Sequence, residues 1–337
     1  IQNEKHTLFG RYFISDYTNP PYYNGNLLNT SRAGLADRSQ SLVLGDNYSF
    51  TSTLLNSFHA TGSRLAVNRG PASDMPNPNT FGIPISVPVS NYIGLSVSGD
   101  FSAGGTIASN WIDNSWQASD DVDWIRGRHH FSFGADWIHN QLNTIGAINE
   151  NGVFSINGQF TGDSMADFML GRRRDGSQGK PTGGNFRQNY IGLYVQDDIH
   201  ATSHLNGHVG LRWEPFLPEV DTFNRGGSFS QSAFTAGVKS SVYVNAPPGL
   251  SFVGDPGIPR GYFHHQLSTF EPRIGFAWDP SGDGRQSIRG AYSLGYDTPE
   301  LFYEARYETD APFGSTIDIP SPARGLSNPY LGYAGGS

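Results

Sequence analysis

Apolar residues recur at every second position in short runs along this chain, and no other feature limits its fold so strongly. From His130 the order His-Phe-Ser-Phe-Gly-Ala-Asp-Trp sets Phe131, Phe133, Ala135 and Trp137 on one side of an extended strand. Ser132, Gly134 and Asp136 take the other side. The same period sets Ile191, Leu193 and Val195 against Gly192, Tyr194 and Gln196, and Leu205, Val209, Leu211 and Trp213 against Asn206, His208, Gly210 and Arg212. Ile274, Phe276 and Trp278 oppose Arg273, Gly275 and Ala277, while Ile288, Tyr292, Leu294 and Tyr296 oppose Arg289, Ser293 and Asp297. Weaker alternation marks further strands around 5–16, 40–50, 53–69 and 113–126.

The residue vocabulary agrees. Of 337 residues only three are Lys and eight are Glu, so long-chain helix formers are scarce, whereas Gly, Pro, Asn, Ser and aromatic residues abound. The connections add a rhythm. Short links join the strands at 50–53, 126–129, 200–205 and 279–285, the last of them Pro280-Ser281-Gly282-Asp283-Gly284, a hairpin signal. Between these hairpins lie stretches rich in Pro, Gly, Asn and Ser at 17–39, 70–112, 144–186, 220–270 and 298–337, which read as unstructured loops. Short turns alternating with long loops are the rule in outer-membrane barrels and rare in compact soluble domains.

The sequence therefore predicts an all-β fold, an antiparallel transmembrane β-barrel segment of about nine strands with short periplasmic turns and long extracellular loops. A soluble β-sandwich with apolar inner faces is the alternative. On the barrel reading Phe131, Phe133, Trp137, Ile191, Leu193, Val195, Val209, Leu211, Trp213, Ile274, Phe276 and Trp278 face lipid. Ser132, Asp136, Gln196, Arg212, Arg273 and Arg289 face the lumen. Trp124, Trp137, Tyr190, Trp213, Trp278 and Tyr296 sit near strand ends and suit aromatic girdles.

Chemistry-bearing motifs are few. The formal charge of −8 excludes a general nucleic-acid binder, and Arg172-Arg173-Arg174, the one compact basic run, reads as a solvated loop. The absence of Cys excludes thiolate metal sites and Cys nucleophiles. Asp279, Ser281, Asp283 and Gly284 begin like a calcium loop, but Gly290 stands where a bidentate Glu is needed, so a hairpin turn is the better reading. Gly179-Lys180 lacks the rest of a phosphate loop. His129-His130 point to opposite faces of a strand and cannot share an ion, and His264-His265 lie in a long loop. Asp120-Asp121-Val122-Asp123 and Asp197-Asp198 lie near short turns as solvated periplasmic rims. No catalytic residue, metal site or cofactor is assigned, and an enzyme is not expected.

Phe186-Arg-Gln-Asn-Tyr-Ile-Gly-Leu-Tyr-Val-Gln-Asp-Asp198, Leu211-Arg-Trp-Glu-Pro215, Glu271-Pro-Arg-Ile-Gly-Phe-Ala-Trp-Asp279 and Ser287-Ile-Arg-Gly-Ala-Tyr292 together resemble the barrel of TonB-dependent receptors of the Oar-like type. Those receptors carry a carboxypeptidase-regulatory-like domain. Gly162-Asp-Ser-Met-Ala-Asp-Phe-Met-Leu-Gly171 is similar to that family's short helix within a loop, and Leu54-Leu-Asn-Ser-Phe58 to its strand start after a periplasmic turn. The resemblance spans about residues 5 to 300. It implies a barrel of about 22 strands closed by a plug, in the bacterial outer membrane, importing an extracellular solute with energy from the TonB complex. On that pattern residues 1–337 are part of one outer-membrane barrel domain, with plug, N-terminal domain and closing strands outside this chain. Outer-membrane lipid, the plug, TonB and an extracellular solute are the expected partners. Tyr22, Tyr23, Tyr262, Phe263, Tyr303 and Tyr307 furnish loops that suit sugars, siderophores or peptides alike. An adhesin or structural outer-membrane protein, and a secreted β-sandwich acting on polysaccharide, are the competing functions.

Overall fold

Nine strands follow one another in sequence and in space. They are β1 (His6–Asn19), β2 (Gly34–Thr51), β3 (Leu54–Gly70), β4 (Ser109–Arg126), β5 (His129–Gly146), β6 (Thr182–Thr202), β7 (Leu205–Trp213), β8 (Phe270–Trp278) and β9 (Ile288–Ser293). Each pairs antiparallel with the next, and the short strand Val220–Asp221 adds to β6. The computed structural model describes residues 3, 5–28, 32–104, 108–146, 149–261, 263–298 and 311–333.

The turns at one end of this wall are tight for local reasons. Gly127 takes φ 63°, a left-handed conformation that closes β4 onto β5. At the β8–β9 link the Asp279 carboxylate accepts the backbone N–H of Gly282 at 2.9 Å and of Gly284 at 2.8 Å, so the calcium-like residues tie a hairpin.

Register sorts the side chains into two faces. Asp136 sits opposite Gly192 and Ser119, Tyr194 opposite Gly134 and Arg212, and Arg273 opposite Gly210. These belong to one polar face. Phe133 sits opposite Val195 and Val122, and Val195 in turn opposite Leu211, on the other. Among the described residues the contacts of the wall strands run to their neighbours in the sheet, so the wall is a single layer whose apolar face is left exposed. A sandwich would have covered that face.

The apolar belt is shorter than the strands. Crossing hydrocarbon takes about 9–11 residues of a tilted strand, whereas β2 and β4 to β6 run 18 to 21. Towards the long loops the belt face turns polar. Arg64 donates to Asn114 at 2.8 Å, Asn110 donates to Asn68, His139 lies 2.9 Å from Asn189, and Arg38 stands 3.6 Å from Asp16. Polar residues on both faces remove the alternation, which is why 144–146 and 182–186 read as loop in the sequence but form strand.

The long connections are not unstructured. Segments from three of them build a second sheet in the order 316–318, 175–179, 153–156, 94–97, 101–104, with 94–97 and 153–156 parallel. Helix α1 (Ser164–Met169) stands beside it, and its N-cap Asp163 accepts the Ala166 N–H at 2.7 Å. Ile83, Ile85 and Phe154 form the centre of a core ringed by Leu95, Leu326 and Tyr330. Prolines apart, every buried apolar side chain among the described residues except Phe186 and Phe252 belongs to this cap, at 72–103, 154, 156 and 319. The wall has no core because it is one layer thick.

Arg173 also departs from the sequence reading. It is buried inside the cap, donates to the carbonyl of Pro329 at 2.9 Å and lies 5.3 Å over the Phe154 ring. A Cβ at Gly176 would come within 1.4 Å of its guanidinium, so glycine there makes the room. Arg172 reaches the Ala323 carbonyl and Arg174 pairs with Asp175, so the basic run clamps the 311–333 segment onto the cap.

Candidate functional site

Two surfaces carry chemistry: the polar face of the wall and the cap above it. On the polar face Ser132 donates to Asp123 at 2.5 Å, and His130 lies 3.1 Å from the same carboxylate. Tyr194 donates to Asp121 at 2.5 Å, its ring lying over Gly134, where an added Cβ would come within 2.7 Å of it. Arg212 donates to Asp136 at 3.2 Å, to the Tyr190 hydroxyl at 2.6 Å and to Glu214, which also accepts from Tyr190. His208 stands 2.6 Å from Asp198, Arg273 lies 3.7 Å from Glu271, and Arg289 donates to Ser287 at 3.1 Å.

Five of the six lumen candidates thus take part in polar contacts, and Gln196 lies between Ser132 and Gly210 on the same face. Tyr190 is a correction: it is on this polar face with Arg212, not in an aromatic girdle. Its position next to Ile191 already carried that signal, because neighbours on a strand point apart. Asp121, Asp123 and Asp198 are likewise knitted into cross-strand pairs and are not bare rims. Such pairs hold side chains flat against the sheet and leave a wet, charged surface.

On the opposite face Phe133, Trp137, Leu193, Val195, Val209, Leu211, Ile274, Phe276 and Trp278 are all exposed, Val195 by 52% and Ile274 by 60%. Phe131, Ile191 and Trp213 are half-buried. Phe131 packs 5.7 Å from Trp124 and stacks 5.3 Å from His129, and Trp213 lies 6.5 Å from Phe270 while its indole N–H donates to the Leu267 carbonyl at 2.7 Å. Among the described residues four wall carboxylates interrupt this face, and each has a partner on a neighbouring strand: Asp16 with Arg38 at 3.6 Å, Asp46 with His6 at 3.2 Å, Asp120 with Asn56, and Asp197 with His129 at 2.7 Å. His129 and His130 therefore serve different carboxylates on opposite faces, as strand geometry requires.

Two large cavities open in the cap. One, of about 750 Å³, has Glu150, Gln178 and Lys180 among its lining residues. The other, of about 660 Å³, is apolar and reaches the core at Phe154. The residues of this second cavity escaped the sequence reading, although Ile83-Pro-Ile85-Ser-Val87 and Val153-Phe-Ser-Ile156 show the alternation of short strands within Pro- and Gly-rich stretches. Of the loop aromatics, Tyr22 is exposed, Tyr23 is half-buried and Phe263 packs 6.1 Å from Phe216. Tyr262, Tyr303 and Tyr307 lie outside the described residues. His264 and His265 are exposed, and among the described residues no group of three or more His, Asp or Glu converges on a metal position.

In the loop 214–269 two carboxylates organise the chain, Asp221 through the Phe223 and Arg225 N–H groups and the Arg225 side chain, and Asp255. Asp255 accepts the backbone N–H of Ser241 at 2.7 Å and of Phe252 at 2.8 Å, and the Ser241 hydroxyl at 2.7 Å. Burial alone would push this carboxyl up, but the hydrogen bonds from Ser240, Phe252 and Ser241 outweigh it and hold it well below the usual carboxylate range. A depressed native pKa adds stability above the unfolded value of about 3.9, and that stability is lost as the pH falls towards the native value. We expect the protection factors of the Ser241 and Phe252 amides to drop on acidification below about pH 4, the unfolded carboxylate range. Asp255→Asn should show low protection at neutral pH and little further change, and a wild-type acid response in that variant would refute the assignment.

A single-layer antiparallel wall with one oily and one wet face, tight turns at one end and folded loops at the other, defines a membrane β-barrel wall. A family model described as an outer membrane beta barrel domain matches residues 2–336, and the chain belongs to that family. It is a protein of the bacterial outer membrane, associated with membrane lipid. A search of curated proteins finds no match.

Proposed function

We propose that this chain is the wall and extracellular cap of a TonB-dependent receptor of the Oar-like type, which captures a solute in its long loops and passes it through the barrel. The observation that carries the reading is the division of labour between faces: exposed Phe133, Val195, Ile274 and their neighbours against lipid, and the Asp121–Tyr194 and Asp136–Arg212–Glu214 pairs lining the lumen. The resemblance of the 186–198, 211–215 and 271–279 segments to that family supplies the energy coupling. The wall makes and breaks no bond, and its cross-strand pairs present a polar surface on which a plug can seat.

Among the described residues β1 and β9 have a hydrogen-bonded neighbour on one side only. Hydrocarbon does not accept open backbone groups, so further strands complete the barrel at both edges. The test is uptake by cells carrying the full-length receptor, measured on spent growth medium by mass spectrometry with TonB present and deleted. Depletion of a solute that needs both receptor and TonB is the expected result, and depletion unaffected by TonB would overturn energy-coupled transport.

A further inference from the structure

The apolar cavity of the cap has an unusual lining for a surface that meets water. Among the described residues around its 660 Å³ none is ionisable, and Ser327 is the one with a polar side chain. That hydroxyl is already engaged, donating to the Arg324 carbonyl at 2.8 Å. Several backbone groups are engaged too: the Gly82 N–H donates to Asn79, the Gly171 N–H to Phe168, and the Gly171 carbonyl accepts from Leu326. Among the described residues no charged or amide side chain lines it to replace the hydrogen bonds that a sugar hydroxyl or an anionic chelate would lose on leaving water.

The cavity is also a route inward. Leu28 and Phe81 are 57% and 53% exposed, whereas Ile93 and Phe154 are 3% and 2% exposed, so it runs from solvent down to the core. Its volume falls within the range of about 300–1,000 Å³ typical of small-molecule sites. Stretches distant in the chain converge on it, around Leu28, Phe81 and Leu95, Phe154, and Leu326, with α1 contributing Phe168.

We propose that this cleft binds a neutral, hydrophobic small molecule with an aromatic or branched hydrocarbon body. The assignment rests on the extracellular position of the cap given under the proposed function, and it deepens that reading by narrowing the solute class. Binding draws its free energy from removing the ligand and the Leu28, Phe81 and Phe168 side chains from water together.

The test uses the full-length receptor in lipid nanodiscs and the neutral fluorophore N-phenyl-1-naphthylamine, with receptor-free nanodiscs subtracted as the lipid background. We expect saturable binding of one probe per receptor. Phe81→Asp and Leu28→Asp at the exposed rim, and Ala103→Trp filling the interior, should each weaken it at least tenfold. The rim variants change solvent-facing residues, so they keep the test decisive if Ala103→Trp impairs folding. No saturable component in the wild type, or equal affinity in wild type and Phe81→Asp, would overturn the site, including the case in which another part of the polypeptide fills it. Because binding is read without TonB, a receptor that binds probe yet shows TonB-independent uptake refutes the transport reading alone. TonB-dependent uptake without probe binding refutes the cleft alone.

Discussion

Arginine at Val195 is expected to cost the assembled receptor about 2–4 kcal/mol, the value for a cation on the lipid face near mid-membrane, while arginine at Gln196, on the lumen side, costs much less. The two positions are neighbours on β6, share strand propensity and backbone hydrogen bonding, and differ only in the side of the wall they occupy. Val195 is flanked across the sheet by Phe133 and Leu211, with nothing over it. Gln196 has Ser132 on one side and Gly210 on the other, so a longer side chain can lie over the glycine among polar neighbours. Phe133→Arg should follow Val195→Arg. Asp136 is a poor control, because it accepts from Arg212 and its replacement by arginine would break that pair and set two cations together. Reversible urea unfolding of the full-length protein in lipid vesicles gives the two costs directly. Equal costs on both sides of β6 would sink the assignment of lipid to the Val195 face.

The same contrast explains what could be read in the residues alone. A single-layer wall has no core to blur its pattern, so every strand segment inside the belt carries its own period of two, and β5 to β8 stand out from Phe131, Leu193, Leu211 and Phe276 onward. Above the belt, Asn110, His139 and Asn189 make both faces polar; the strand continues, but its signature disappears. The cap was illegible for a different reason. Its sheet is assembled from strands of three to five residues drawn from connections far apart in the chain, so no window of sequence contains enough of the core to show a face. Arg173 illustrates the limit: between two other arginines it looks solvated, and only the missing Cβ of Gly176 and the position of Pro329 show it to be buried. The apolar cleft inherits that difficulty, because Leu28, Phe81, Phe154 and Leu326 become neighbours only once the cap has folded.

Phe154→Ala should therefore unlock the cap while leaving the wall intact. Phe154 is almost fully buried, packs with Ile83 and Ile85, carries Arg173 over its ring and lines the apolar cleft. Truncating a buried Phe costs about 3–5 kcal/mol through lost burial and the cavity left behind. An entire domain is stable by only about 5–15 kcal/mol, and this cap is a small sheet with a modest core, so the loss is comparable with its whole stability. The wall does not share the penalty, because its strands are held by ladders to their neighbours and by the belt, neither of which involves residue 154. The variant should keep the heat-modifiable electrophoretic shift of a folded barrel, yet be cleaved by external protease within 71–108, 149–181 or 311–333 under conditions in which the wild type resists. Probe binding in the cleft should fall with it. Val209→Ala, on the wall and remote from the core, provides the matching truncation and should leave cap protection unchanged. If Phe154→Ala resisted protease as well as the wild type, the Ile83–Ile85–Phe154 core would not be what holds these loops together; if it lost the heat-modifiable shift, cap and wall would fold as one cooperative unit.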